Sequence, residues 1–130
     1  MVGLVIVSHS SKIAEGVVEM AKQMADGAPI IAAGGTQDGR IGTDAERICD
    51  AMKTVYSDDG VLVLFDLGSA YMNAEMAKDF LDSEYDGDKI ELVDCALVEG
   101  AITAAVESFM GSSREHMKDV LKDLALNKMP

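Results

Sequence analysis

The chain has 130 residues, enough for one domain with a proper core. Its 23 acidic against 11 basic residues leave a net charge of −12, which argues against nucleic acid or an anionic membrane as partner, since both need a positive surface. Cys49 and Cys95 are too few and too far apart for a metal cage or a disulfide framework and read as reduced core thiols, no apolar run approaches the roughly 20 residues of a membrane span, and no basic leader precedes the first strand, so a cytoplasmic protein is expected.

Val2 to Val7 is an almost unbroken apolar run, the pattern of a strand buried on both faces. The run ends at Ser8, His9 follows at once, and Ser10 and Ser11 open a helix over about 12–25, on which Ile13, Val17, Ala21 and Met24 recur at helical spacing. Asp26-Gly27-Ala28-Pro29 stops it. Ile30 to Ala33 is a short second strand, followed by a glycine-rich loop from Gly34 to Gly42. Thr43 and Glu46 read as a capping box for a second helix whose stripe is Ala45, Ile48, Cys49, Met52, Val55 and Tyr56. Val61 to Phe65 is another all-apolar strand; Asp66-Leu67-Gly68-Ser69 ends it, with Ser69 placed to cap a third helix faced by Ala70, Ala74, Ala77, Phe80 and Leu81. Lys89 to Val93 alternates enough to lie nearer a sheet edge. Ala101, Ile102, Ala105, Val106 and Phe109 face a fourth helix inward; Ser112 and Glu115 read as a second capping box, and Met117, Val120, Leu121 and Leu124 line a last helix. The methionines at helical spacing read as core.

Strands alternating with helices imply an α/β fold: a three-layer sandwich whose mostly parallel central sheet has helices on both faces, here one domain over 1–130 with strand order 2-1-3-4 expected. If strand one lies between strands two and three, the loops at 8–11, 34–42 and 66–69 meet at the carboxyl edge of the sheet, where such folds bind ligands.

His9 then stands beside two loops that suit phosphoryl chemistry. Near neutral pH an imidazole keeps a lone pair on one nitrogen, able to attack phosphorus. A carboxylate accepting the other N–H fixes the tautomer and stabilises the cation formed on attack; Asp66 is the candidate. Main-chain amides of Gly35, Thr36, Gly68 and Ser69, with hydroxyls of Ser8, Ser10 and Thr36, are candidates for holding the phosphoryl oxygens, because phosphoryl transfer depends on positioning and charge stabilisation. Each also has a plainer reading: His9 as a polar loop residue, Asp66 as a turn or cap residue, Gly34–Gly42 as a simple turn, Ser69 as a helix cap. His116 is expected at the surface; Tyr71 and Met72 rim either the site or a partner surface.

Four stretches, Leu4-Val5-Ile6-Val7-Ser8-His9-Ser10-Ser11, Ile41-Gly42-Thr43-Asp44-Ala45, Asp66-Leu67-Gly68-Ser69-Ala70 and Leu97-Val98-Glu99-Gly100, together resemble the phosphotransfer subunits of phosphoenolpyruvate-dependent dihydroxyacetone kinases, relatives of mannose-family enzyme IIA domains. Sugar-permease relatives carry glycine beside the histidine and a Gly-Gly-Ser-Pro segment after the third strand; here Ser8 and Ser10 flank His9 and Gly68-Ser69-Ala70 stands instead, which favours the dihydroxyacetone branch. The resemblance implies a cytoplasmic homodimer, a phosphotransferase component that takes a phosphoryl group from phospho-HPr onto His9. It implies that the group passes to ADP on the kinase's L subunit, where the ATP formed phosphorylates dihydroxyacetone held by the K subunit. It implies no metal and no cofactor beyond the covalent phosphohistidine. The alternatives are an enzyme IIA of a mannose-family sugar permease, a small metal chelatase, which needs further ligands near His9, and a flavodoxin-like carrier, which needs loop aromatics.

Overall fold

Strands β1 (Gly3–Ser8) and β3 (Val61–Phe65) are buried along their whole length, as their apolar runs demand. In this computed structural model, which describes residues 1–129 and leaves Pro130, the last residue of the expected domain, outside the described residues, they lie side by side at the centre of a four-stranded sheet. β2 (Ile30–Gly34) flanks β1 and β4 (Ile90–Val93) flanks β3; the order is β2-β1-β3-β4, all parallel, as expected.

Side chains alternate between two cores, because successive residues of a strand point to opposite faces. Leu4, Ile6, Leu62 and Leu64 pack under α1 (Ser11–Met24), α4 (Leu97–Phe109) and α5 (Arg114–Leu121). Val5, Val7, Val61, Val63 and Phe65 pack under α2 (Ala45–Val55) and α3 (Gly68–Asp79). Single 3₁₀ turns, Gly87–Lys89 and Lys122–Leu124, precede β4 and follow α5.

This layering fixes the site. The chain leaves β1 for β2 across one face of the sheet through α1, and later leaves β3 for β4 across the other through α3. The two adjacent carboxyl ends therefore feed helices on opposite faces, which opens a crevice between them. Residues 8–11 and 66–69 border it.

Several local expectations are corrected. Asp44, not Thr43, caps α2, its carboxylate accepting from the amides of Glu46 and Arg47, because Asp44 directly precedes the first helical residue and the Thr43 hydroxyl is engaged with Asn73. Helix α3 starts at Gly68 with Leu67 at the cap position and no side-chain cap bond, so Ser69 lies inside the first turn. Ser113 caps α5 through the His116 amide, while Ser112 bonds Glu107. The buried stripe of α1 is Ala14, Val17, Val18 and Ala21, with Ile13 and Met24 exposed; Phe80 and Phe109, at helix ends beyond the sheet, are also about half exposed. Of the nine methionines only Met52 and Met117 are core. Small alanines supply much of the buried helix surface, letting helices approach the sheet closely and leaving the longer apolar side chains outside.

Candidate active site

His9 and Asp66 come from adjacent strand ends. Val7 pairs with Phe65 in the β1–β3 register, and the Asp66 amide continues the ladder by donating to the Val7 carbonyl at 3.1 Å. One step further, side-chain bonds join the two strand ends. Asp66 Oδ1 lies 3.0 Å from His9 Nδ1, and Asp66 Oδ2 accepts the His9 backbone N–H at 2.9 Å. The same carboxylate accepts the Ser8 hydroxyl at 2.9 Å and the Leu67 amide at 2.7 Å. Ser8 is fully buried, and its hydroxyl also accepts the Ser10 amide at 3.1 Å.

Burial alone raises the pKa of Asp66. The hydrogen bonds from the His9 amide, the His9 ring, Ser8 and the Leu67 amide outweigh it and hold the carboxyl below its ordinary value. An ionised Asp66 can only accept, so the His9 Nδ1 facing it carries the proton. Nε2 then holds the lone pair and accepts from the Ser69 hydroxyl at 2.8 Å. Both side chains remain about one-fifth exposed, so the ring is held but not sealed.

The N-termini of two helices border the ring. α1 begins two residues after His9, capped by the Ser10 hydroxyl, which accepts the Ile13 amide at 3.3 Å; α3 begins two residues after Asp66. First-turn amides of a helix have no intrahelical acceptor and favour an anion nearby. Gly68 and Ser69 open α3 on the side of the ring that carries Nε2, an arrangement that suits an anion there.

Gly35 and Thr36 are placed differently. The Gly35 amide donates to the Ser8 carbonyl at 3.2 Å and the Thr36 amide to the Arg40 carbonyl at 3.0 Å; the Thr36 hydroxyl donates to Asp38 at 2.5 Å. These groups are engaged in holding the 34–42 loop against the sheet. The loop reaches the site through Gly42, whose amide donates to the His9 carbonyl at 2.7 Å with φ at +146°. Thr43 beside it binds Asn73 of α3. From sequence, Gly42 and Thr43 stood out as a loop end, a helix cap and part of a family-like stretch but not as contacts of the site, and Asn73 did not stand out; the Thr43–Asn73 pairing had no local signal.

Tyr71 is half-buried, its ring edge-on to Phe65 at 5.6 Å, while Met72, Leu67, Ile41 and Ile13 are exposed on the elements around His9. His116 lies elsewhere, its Nε2 3.1 Å from Glu107. Among the described residues, no three histidine, cysteine, aspartate or glutamate side chains gather as a metal-binding group, and no helix is long and apolar enough to cross a membrane.

Residues 3–118 match the EIIA-man family, described as the PTS system fructose IIA component. The chain is 45% identical, over 88% of its length and 92% of the relative's, to a Listeria innocua protein named PEP-dependent dihydroxyacetone kinase 2, phosphoryl donor subunit DhaM. The Lactococcus lactis PTS-dependent dihydroxyacetone kinase, phosphotransferase subunit DhaM, is 34% identical over 97% of this chain and 98% of its own. The Escherichia coli phosphoryl donor subunit DhaM is 44% identical over 86% of this chain, which spans only 24% of that longer protein. Among solved structures, a protein of unknown function superposes with a TM-score of 0.82 at 31% identity, covering 97% of this chain and 96% of its own. A sigma-54 interaction domain protein from Enterococcus faecalis shares the fold, with a TM-score of 0.70 at 14% identity over 93% of this chain and 87% of its own.

Proposed function

We propose, since this chain belongs to the EIIA-man family, among the phosphoryl donor subunits of dihydroxyacetone kinases, that it is a phosphohistidine carrier acting through Nε2 of His9. The observation that carries this reading is the His9 ring, bound at Nδ1 by Asp66 and presenting Nε2 beside Ser69 at the start of α3.

Nε2 attacks the phosphorus of a phosphohistidine on the donor HPr. The new N–P bond forms as the donor's N–P bond breaks, and the donor ring recovers its electron pair. The His9 ring becomes cationic, and Asp66 stabilises it through the Nδ1–H bond. Ser69 gives up Nε2 and turns its hydroxyl to a phosphoryl oxygen, while the first amides of α3 take the other charge that develops. In the second half-reaction a terminal phosphate oxygen of ADP, held on the kinase's L subunit, attacks the same phosphorus. The His9 N–P bond breaks, ATP forms, and the ring returns to its starting tautomer. That ATP phosphorylates dihydroxyacetone on the K subunit. Neither half-reaction calls for a metal or a cofactor on this chain.

A cytoplasmic homodimer is part of the proposal.

The test is incubation with phosphoenolpyruvate, enzyme I and HPr, followed by mass spectrometry. One acid-labile, alkali-stable phosphate on His9 is expected, absent from His9→Ala. Labelling that survives in His9→Ala, with that variant folded, overturns the reading.

A further inference from the structure

After α5 the chain turns back across the carboxyl edge of the sheet. Asp94, just past β4, fastens it: its two carboxylate oxygens accept the amides of Leu126 at 3.3 Å and Lys128 at 3.0 Å, and the Ala96 amide donates to the Leu124 carbonyl at 2.8 Å. Asn127 has φ at +59°, the one positive-φ non-glycine residue among those described, and asparagine tolerates that conformation better than most side chains. The turn sends Lys128 inward. Its ammonium donates to the Phe65 carbonyl at 2.6 Å and the Cys95 carbonyl at 2.7 Å, and stands 4.9 Å from the centre of the Phe65 ring.

Both carbonyls end parallel strands or their continuations, where the ladder runs out of partners. Phe65 is one peptide bond from Asp66. On the same segment, the Lys128 carbonyl oxygen lies so close to Gly68 that a Cβ there would stand 2.9 Å from it. One residue thus braces the 65–68 turn from two sides: its ammonium holds the residue before Asp66, and its backbone backs the residue before Ser69.

We propose that Lys128 is a positioning residue for phosphoryl transfer. It fixes the β3–α3 turn so that Asp66 and Ser69 keep their separate grips on the two nitrogens of His9. The charge matters as well as the reach, because an ammonium can satisfy both strand-end carbonyls at once and no neutral side chain of this length can. The inference rests on His9 being the phosphoryl carrier.

The experiment compares wild type, Lys128→Met, Lys128→Arg and Asp94→Asn in the full chain. Two readouts are used: the rate of His9 labelling by phospho-HPr, and the tautomer of the His9 ring by ¹⁵N NMR. For Lys128→Met, labelling is expected to slow roughly tenfold or more, since small misplacements of reacting groups cost that much, and the single Nδ1–H tautomer is expected to become a mixture. Lys128→Arg should restore both, and Asp94→Asn, which loosens the strap from outside the turn, should move both the same way by less. Wild-type rate and tautomer in Lys128→Met overturn the inference, as does a loss that Lys128→Arg fails to recover. If Lys128→Met does not fold, Asp94→Asn decides by the same two readouts. Failure of the wild type itself to take label counts against the carrier reading instead.

Discussion

Asp66 holds His9 with both of its oxygens, Oδ1 on the ring at 3.0 Å and Oδ2 on the backbone N–H at 2.9 Å. A single carboxylate thereby sets the tautomer of the ring and the path of the chain that carries it. Replacement by asparagine keeps the size but leaves an amide that can direct its NH₂ at one of these donors. Asp66→Asn is expected to lower the rate of His9 phosphorylation on the order of 10²-fold, the scale of a positioned acid–base partner. The check is single-turnover labelling by phospho-HPr; a rate within twofold of wild type would remove Asp66 from the mechanism.

Ser69 has a smaller task. It gives one hydrogen bond to Nε2, and in the proposed transfer it gives one to a phosphoryl oxygen afterwards. Ser69→Ala should slow labelling roughly fivefold, the equivalent of ~1 kcal/mol for one hydrogen bond, and leave the fold intact because the helix start has no side-chain cap to lose. Quench-flow labelling together with circular dichroism separates the two effects.

The hydrogen bonds that hold Asp66 below its ordinary pKa also tie its ionisation to folding. A carboxyl with a depressed folded-state pKa adds stability above its unfolded pKa and loses it as pH falls through the folded value. Wild type should therefore lose melting temperature in acid more steeply than Asp66→Asn. The comparison is Tm against pH from 7 down through the carboxylate range; parallel curves would contradict it.

Gly42 is the contact between the 34–42 loop and His9. Its φ of +146° is a conformation that L side chains rarely adopt, and a Cβ there would meet Thr36 Cγ2 at 2.9 Å. Gly42→Ala should cost ~1–3 kcal/mol of stability and release the His9 carbonyl, slowing labelling as well. Urea unfolding and the labelling rate measure the two effects.

Cys95 is fully buried, and burial pushes its thiol up to about 11, against the pull of Lys128. Cys49, on the buried face of α2, is raised for the same reason. Neither should react with a thiol reagent at pH 8 until the protein unfolds; rapid modification of either in the native protein would contradict this.

Sheet and helices were legible along the chain because their periods are local. Val2 to Val7 and Val61 to Phe65 have no polar face to turn to water, so they had to be central strands, and alternation with amphipathic helices left few topologies. His9 and Asp66 stood out because each follows such a strand at once. Helix caps were less legible: Thr43, Asp44, Ser112 and Ser113 are all competent caps, and the choice between adjacent ones depends on where each helix docks. Ile13, Phe80 and Phe109 looked like core for a similar reason, since periodicity gives a face but not how far the sheet extends beneath it.

The sequence by itself determined that a histidine and a carboxylate lie at the ends of buried strands, because strand burial is written in consecutive residues. Only the tertiary structure decided that those strands are neighbours in register, that Asp66 takes Nδ1 and Ser69 takes Nε2, that the Gly35 amide is spent on the Ser8 carbonyl and the Thr36 amide on its own loop, and that Lys128 braces the turn from 62 residues away. Hydrogen bonds are directional and short, so which donor meets which acceptor is settled by angstrom-scale packing of segments far apart in the chain, and no local pattern records it.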